Sequence, residues 1–155
     1  MTETVQTKEG RVAYEVFGTG AAVMVALPGI GDTRDSYRAL GPRLAEAGFR
    51  VFVMDLRGHG ESDTSFTGYT SENIGDDAVA LLEALDLHDV TLLGNSVGAA
   101  ASVHAALRSS RVGRIVSLSG FVSDPPGFTA LKPMLSLMFA RPWGCLLYTS
   151  PSPRD

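Results

Sequence analysis

Val90-Thr-Leu-Leu-Gly94-Asn95-Ser96-Val97-Gly98-Ala99-Ala-Ala-Ser102 decides the fold. An apolar, β-type run leads without interruption into Gly-x-Ser-x-Gly and then into small residues with helical character. A serine held on a sharp strand-to-helix turn needs flanking residues small enough for two backbones to approach, and Gly94 and Gly98 meet that need. The stretch is therefore read as a nucleophile elbow, with Ser96 projecting its hydroxyl above the sheet. The competing reading is a Gly/Ser-rich loop that fits a loose pattern by chance. The strand before and the Ala-rich helix after, from Val97 to about Arg108, favour the elbow.

Upstream, two short β-type runs between Thr4 and Phe17 are separated by Glu9-Gly10, which predicts a hairpin. Ala21-Ala-Val-Met-Val-Ala-Leu27 and Phe49-Arg-Val-Phe-Val-Met54 are near-continuous apolar runs, the mark of strands buried on both faces of a parallel sheet. The first stops at the loop Pro28-Gly29-Ile30-Gly31-Asp32, and the second at Asp55-Leu-Arg57-Gly58-His59-Gly60-Glu-Ser62. Between them a helix is expected to open at Pro42, bury Leu44 and Ala47, and close at Gly48. Thr70 can cap a further helix, with Glu72 in its first turn and Ile74, Ala78, Leu81, Leu82 and Leu85 at helical spacing. Downstream of the elbow, Arg114-Ile-Val-Ser-Leu-Ser119 reads as another strand. This alternation predicts an α/β fold: an open, mostly parallel, doubly wound sheet with helices on both faces and right-handed crossovers.

A chain of 155 residues, 45% hydrophobic and 19% charged, suits one globular domain with a real core. The net charge of −4 and the absence of any basic cluster argue against a nucleic-acid surface. No apolar run is long enough to span a bilayer, and the N-terminus lacks the pattern of a signal peptide, so a cytoplasmic chain without membrane attachment is expected. One cysteine, Cys145, excludes an intrachain disulfide, and three scattered histidines show no metal-ligand spacing. Neither metal nor cofactor is implied.

Residues 1–120 are thus expected to form the α/β core. From Phe121 the character changes: Asp124-Pro-Pro-Gly127 is a turn, and Leu131 to Phe139 is apolar and Met-rich. Residues 121–144 are read as the start of a lid or cap, with Leu135, Met138 and Phe139 either lining an apolar pocket or packing a core. Residues 145–155, Cys-Leu-Leu-Tyr-Thr-Ser-Pro-Ser-Pro-Arg-Asp, match the translation of one frame of a transposon-based sequencing-library adapter. They are read as a non-native tail and set aside. The alternative is a disordered Ser-Pro tail.

Three stretches together, Leu27-Pro28-Gly29-Ile30-Gly31, Asp55-x-Arg57-Gly58-His59-Gly60-x-Ser62 and the elbow, resemble the α/β-hydrolase fold family from Val5 to Ser119. The chain departs from the family in carrying Pro28 where a His-Gly commonly follows the strand. The resemblance implies covalent catalysis at Ser96, with the oxyanion held by the backbone N–H groups of Val97 and, by analogy, Ile30. It also implies a triad in the order Ser, acid, His. His59 and His88 precede Ser96, and His104 lies on the helix after the elbow. His59 is read as part of a structural loop and His88 as a solvated turn residue. Asp124 is a candidate acid, against the alternative of a turn-capping residue. The catalytic base is therefore expected to lie beyond a truncation, with little turnover by the chain as it stands.

The function implied is a hydrolase acting on an ester, lactone or related carbonyl bond of a small apolar substrate. C–C hydrolysis and perhydrolysis use the same elbow. Haloalkane dehalogenation is disfavoured, because in this family it needs a carboxylate where Ser96 stands. The alternative from another class is a ligand-binding, receptor-like member that uses the pocket without turnover.

Overall fold

A computed structural model describes residues 2–120. The strands are β1 (Glu3–Gln6), β2 (Arg11–Phe17), β3 (Ala22–Leu27), β4 (Phe49–Met54), β5 (Val90–Asn95) and β6 (Val112–Leu118). They form one sheet in the order β1-β2-β4-β3-β5-β6. β1 and β2 make the hairpin around Glu9-Gly10, with Val5 opposite Val12, and β2 joins β4 antiparallel. From β4 through β3 and β5 to β6 every pairing is parallel. The chain leaves β3 toward β4 on one side and later returns to place β5 on the other. The carboxyl ends of β3 and β5 therefore open a crevice at a topological switch point, where ligands of such sheets bind.

The central strands read as continuous apolar runs because both faces of the sheet are covered. Val25, Leu27, Phe52, Met54, Val90 and Leu92 point to one side, where they pack on α2 (Ser71–Ala84) and α3 (Val97–Arg108) through Ile74, Ala78, Leu81, Leu82, Ala101 and Ala105. Met24, Ala26, Val51, Val53 and Leu93 point to the other, against Tyr37, Leu44, Phe17 and Phe49. Small residues bring α2 and α3 together: a Cβ on Gly75 would lie 2.9 Å from the Ala101 carbonyl oxygen.

The starts of α2 and α1 have local causes. Thr70 caps α2, its hydroxyl accepting from the Asn73 N–H at 3.3 Å while the Asn73 side chain takes the Thr70 N–H at 3.2 Å. This is a reciprocal capping box closed by an Asn. α1 (Leu40–Glu46) starts two residues before Pro42, the expected first position, so the proline sits third. It is tolerated there because the first-turn N–H groups have no partner within the helix. Leu44 is half-buried, but Ala47 is exposed, and Gly41 is the buried residue of α1. A Cβ on Gly41 would lie 2.6 Å from the Phe17 ring, so contact with β2 sets the helix's rotation.

A single 3-10 turn over Arg34–Tyr37 was not expected. Its one buried anchor, Tyr37, stands among polar residues and leaves no periodicity to read. β6 begins at Val112, two residues before the expected strand, and ends at Leu118. Among the described residues it forms the sheet's edge, with Ile115, Val116 and Leu118 between 37% and 44% exposed. No helix among the described residues is long and apolar enough to cross a membrane. The expected lid over 121–144, with Leu135, Met138 and Phe139, the tail at 145–155 and the candidate acid Asp124 lie outside the described residues.

Candidate active site

Ser96 stands between β5 and α3 with φ 51° and ψ −115°, a conformation that L residues rarely adopt. Two glycines make the turn possible. A Cβ on Gly94 would overlap the backbone of Gly98 and Ala99, and one on Gly98 would overlap the carbonyl oxygens of Leu27 and Pro28. The Ser96 N–H donates to the Leu118 carbonyl at 2.9 Å, and the Ser96 carbonyl accepts the Ala99 N–H at 3.0 Å. The serine backbone is therefore clamped between β6 and the first turn of α3. Among the described residues no side chain hydrogen-bonds to Ser96 Oγ.

The loop after β3 lies beside this turn. A Cβ on Gly29 would sit 3.6 Å from Ser96 Cβ, 3.3 Å from Asn95 Nδ2 and 3.3 Å from Asp32 Oδ2. The Asp32 N–H donates to the Gly29 carbonyl at 3.1 Å, closing a β-turn whose third residue, Gly31, has φ 83°. That angle calls for glycine at the third position. The Gly31 N–H donates to His59 Nε2 at 3.0 Å. Ile30, with 66% of its surface exposed, occupies the second position. Its N–H, like that of Val97 at the head of α3, has no hydrogen-bond partner among the described residues.

The Asp55-x-Arg57-Gly58-His59-Gly60-x-Ser62 loop ties these parts together. Asp55, fully buried at the end of β4, accepts the Arg34 N–H at 2.8 Å and the Glu61 N–H at 3.0 Å and pairs with the Arg34 guanidinium, which also pairs with Glu61. Burial works against the charge on Arg34, but the Glu61 and Asp55 carboxylates outweigh it and raise its pKa. A Cβ on Gly60, at φ 52°, would overlap the Asp55 carboxylate. Ser62 Oγ accepts the Ala13 N–H at 3.0 Å and donates to the Asp55 carbonyl at 3.2 Å, linking the loop to β2. Arg57, 4% exposed, reaches the other way to Asp77 on α2.

None of the three histidines meets the serine. Both ring nitrogens of His59 are committed: Nδ1–H donates to the Arg57 carbonyl at 3.0 Å, and Nε2 accepts from Gly31. These partners, a carbonyl and an N–H, fix the neutral tautomer and leave no lone pair for a base. His88 lies before β5, at the opposite end of that strand from Ser96, and contacts Asp86 and Arg111. His104 faces Glu72 of α2 at 3.7 Å. Ser96, Val97, Gly94, Gly98 and Ile30 are thus drawn to one end of β3 and β5; His88 and His104 are not, and His59 reaches the Ile30 loop only through the Gly31 N–H. The structural parts played by Arg34 and Tyr37 escaped sequence reasoning. The spacing of Arg34 to the acidic loop gives no signal, and only the fold brings them together.

Comparison with known proteins identifies the family. Residues 22–143 match the model of the alpha/beta hydrolase fold. The chain is 34% identical over 137 residues to the 2-hydroxy-6-oxononadienedioate/2-hydroxy-6-oxononatrienedioate hydrolase of Paraburkholderia xenovorans, covering 82% of this chain and 47% of that protein. It is 37% identical over 108 residues to haloalkane dehalogenase 1 of Mycobacterium bovis, covering 68% and 36%. Among solved structures, the esterase of Exiguobacterium antarcticum aligns with a TM-score of 0.71 at 26% identity, over 77% of this chain and 46% of that one. The chain spans less than half the length of the curated relatives it matches. On the family match, the shared sheet and the hydrolase relatives, the chain belongs to the alpha/beta hydrolase fold family.

Proposed function

We propose that Ser96 is the nucleophile of an acyl-transfer hydrolase acting on an ester, lactone or related carbonyl bond of a small apolar substrate. Ser96 Oγ attacks the carbonyl carbon, and its proton passes to a base. The tetrahedral oxyanion collapses as the C–O bond to the leaving group breaks, the leaving alcohol takes up the proton, and water then hydrolyses the acyl-enzyme. The observation that carries this reading is the pair of N–H groups without a partner among the described residues, Val97 next to Ser96 in the chain and Ile30 in the turn whose Gly29 adjoins it in space. Two such donors suit an oxyanion hole, in which losing one donor lowers the rate by about 10²–10³.

The base is proposed to lie outside this sequence, in the part of its relatives' length that the chain does not span, because all three histidines are engaged elsewhere. Asp124 remains a candidate acid. The reaction needs no cofactor, and the protein acts in the cytoplasm on a small molecule. The dehalogenase among the relatives is a poor guide to the chemistry, since Ser96 stands where that reaction needs a carboxylate.

The test is labelling of the full-length protein bearing this sequence with a fluorophosphonate. Labelling at Ser96 that is lost in Ser96→Ala is expected. A folded, unlabelled protein would overturn the reading in favour of a receptor-like member that binds without turnover.

A further inference from the structure

We propose that His59 is a positioning residue for the oxyanion hole: its Nε2 holds the Gly31 N–H and so fixes the Ile30–Gly31 peptide, the neighbour of the peptide that presents the Ile30 N–H beside Ser96. The proposal rests on the reading of Ser96 and Ile30 given above. Of the three N–H groups in the Gly29–Asp32 turn after Gly29, that of Asp32 closes the turn and that of Gly31 goes to His59, at 3.1 and 3.0 Å. Only the Ile30 N–H is left to face a ligand. The turn's own bond fixes its curvature, but its tilt relative to Ser96 needs an outside anchor. His59 Nε2 is the anchor on the Gly31 side.

The anchor is itself held on several sides. Nδ1–H donates to the Arg57 carbonyl at 3.0 Å, the His59 N–H donates to the Leu56 carbonyl at 3.0 Å, and the His59 carbonyl accepts the Ser62 N–H at 3.0 Å. Arg57 is fastened in turn to Asp77 of α2 and to the Gly68 and Asn73 carbonyls. The chain of contacts runs from a buried ion pair to the loop at the nucleophile. Pro28 sharpens the need for it: a proline has no N–H to tie the root of the loop to its surroundings. An oxyanion donor misplaced by a fraction of an ångström loses much of its effect, so such an anchor acts on rate rather than on substrate affinity.

Two substitutions separate the role of Nε2 from that of the ring as a whole. His59→Gln places an acceptor where Nε2 stands and gives up the donor to Arg57, whereas His59→Asn keeps a donor near Nδ1 and gives up the acceptor. In the full-length protein bearing this sequence, measured with an activated ester and by fluorophosphonate labelling, His59→Asn is expected to lower the acylation rate and kcat by roughly 10- to 1,000-fold with KM little changed. His59→Gln is expected to stay within about threefold of wild type, the bound set by a donor that keeps its place. In the ¹⁵N spectrum of wild type, His59 should show a protonated Nδ1 and an unprotonated Nε2. If wild type labels at Ser96 and His59→Asn labels equally fast, the proposal is overturned and the reading of Ser96 stands. If both variants are slowed alike, or if Nε2 carries the proton, the proposal is overturned too. A wild type that folds and does not label removes the Ser96 reading, and this proposal with it.

Discussion

Arg57 grips Asp77 with two parallel hydrogen bonds, Nε to Oδ2 at 2.8 Å and Nη2 to Oδ1 at 2.7 Å, with both side chains almost wholly buried. The guanidinium also donates to the Gly68 carbonyl at 2.7 Å and lies 4.6 Å from the centre of the Phe66 ring. This pair joins the loop after β4 to α2. Removing one partner strands the other charge in the interior, whereas removing both leaves no unpaired buried charge, only the Gly68 and Asn73 carbonyls without the Arg57 donor. Arg57→Leu should therefore lower the unfolding free energy by about 3–5 kcal/mol, and Arg57→Leu with Asp77→Leu should recover most of that loss. Urea unfolding of the two variants against wild type checks this, and additive losses would contradict it.

How much of this was legible in the sequence follows from how local each signal is. The strands around Val25, Val53 and Leu92 were readable because burial on both faces leaves a continuous apolar run. The elbow was readable because steric demands at Gly94 and Gly98 act within five residues of chain. α2 was readable because Thr70 and the Ile74–Leu82 stripe obey one period. The Arg34–Asp55 pair was not, since it joins residues 21 apart, one opening the 3-10 turn and the other following β4. The commitment of both His59 nitrogens was likewise invisible, because its partners Arg57 and Gly31 are backbone groups that any residue type could supply. Pro42 misplaced the helix start by two residues, as contact between Gly41 and Phe17 outweighed a positional preference.

Tyr37 ties the 3-10 turn to the end of β3, its hydroxyl donating to the Leu27 carbonyl at 3.3 Å. Burial, with the Asp32 charge adding to it, pushes its pKa from an ordinary 10.0 up to about 12. The folded state thus holds the proton more tightly than the unfolded chain. Its contribution to stability is complete below about pH 10 and is lost as pH rises toward about 12, by roughly 2–3 kcal/mol over that window. Tyr14, buried and donating to Glu3, is also pushed up to about 12 and adds a similar loss. Tyr37→Phe should remove about half of the alkaline destabilisation while shifting stability at pH 7 by only about 1 kcal/mol. Unfolding midpoints measured from pH 8 to pH 12 check this, and an unchanged slope would contradict it.

At Gly98 the backbone of α3 comes close against the end of β3. A methyl group there meets the Leu27 and Pro28 carbonyl oxygens, which are backbone atoms and cannot rotate aside. Gly98→Ala should therefore push the β3 loop away from the elbow, with a loss of about 1–3 kcal/mol and a larger proportional loss of labelling at Ser96. Ala100→Gly, on the same helix, removes a buried methyl group as well as helix propensity and should cost about 1–3 kcal/mol without that selective loss of labelling.

Ser96 itself sits at φ 51° and ψ −115°, where any side chain strains the backbone and glycine does not. Strain of this kind is worth about 1–3 kcal/mol and persists because β6, Gly94 and Gly98 hold the turn from outside. Ser96→Ala keeps a Cβ and so keeps the strain, while Ser96→Gly releases it at the expense of a more flexible unfolded chain. The glycine variant should then be more stable than the alanine variant by about 1 kcal/mol, with labelling lost in both. Paired thermal unfolding of Ser96→Gly and Ser96→Ala decides the matter. Equal stability, or an alanine variant the more stable of the two, would mean that the turn is relaxed at Ser96 and that no strain is stored at the nucleophile.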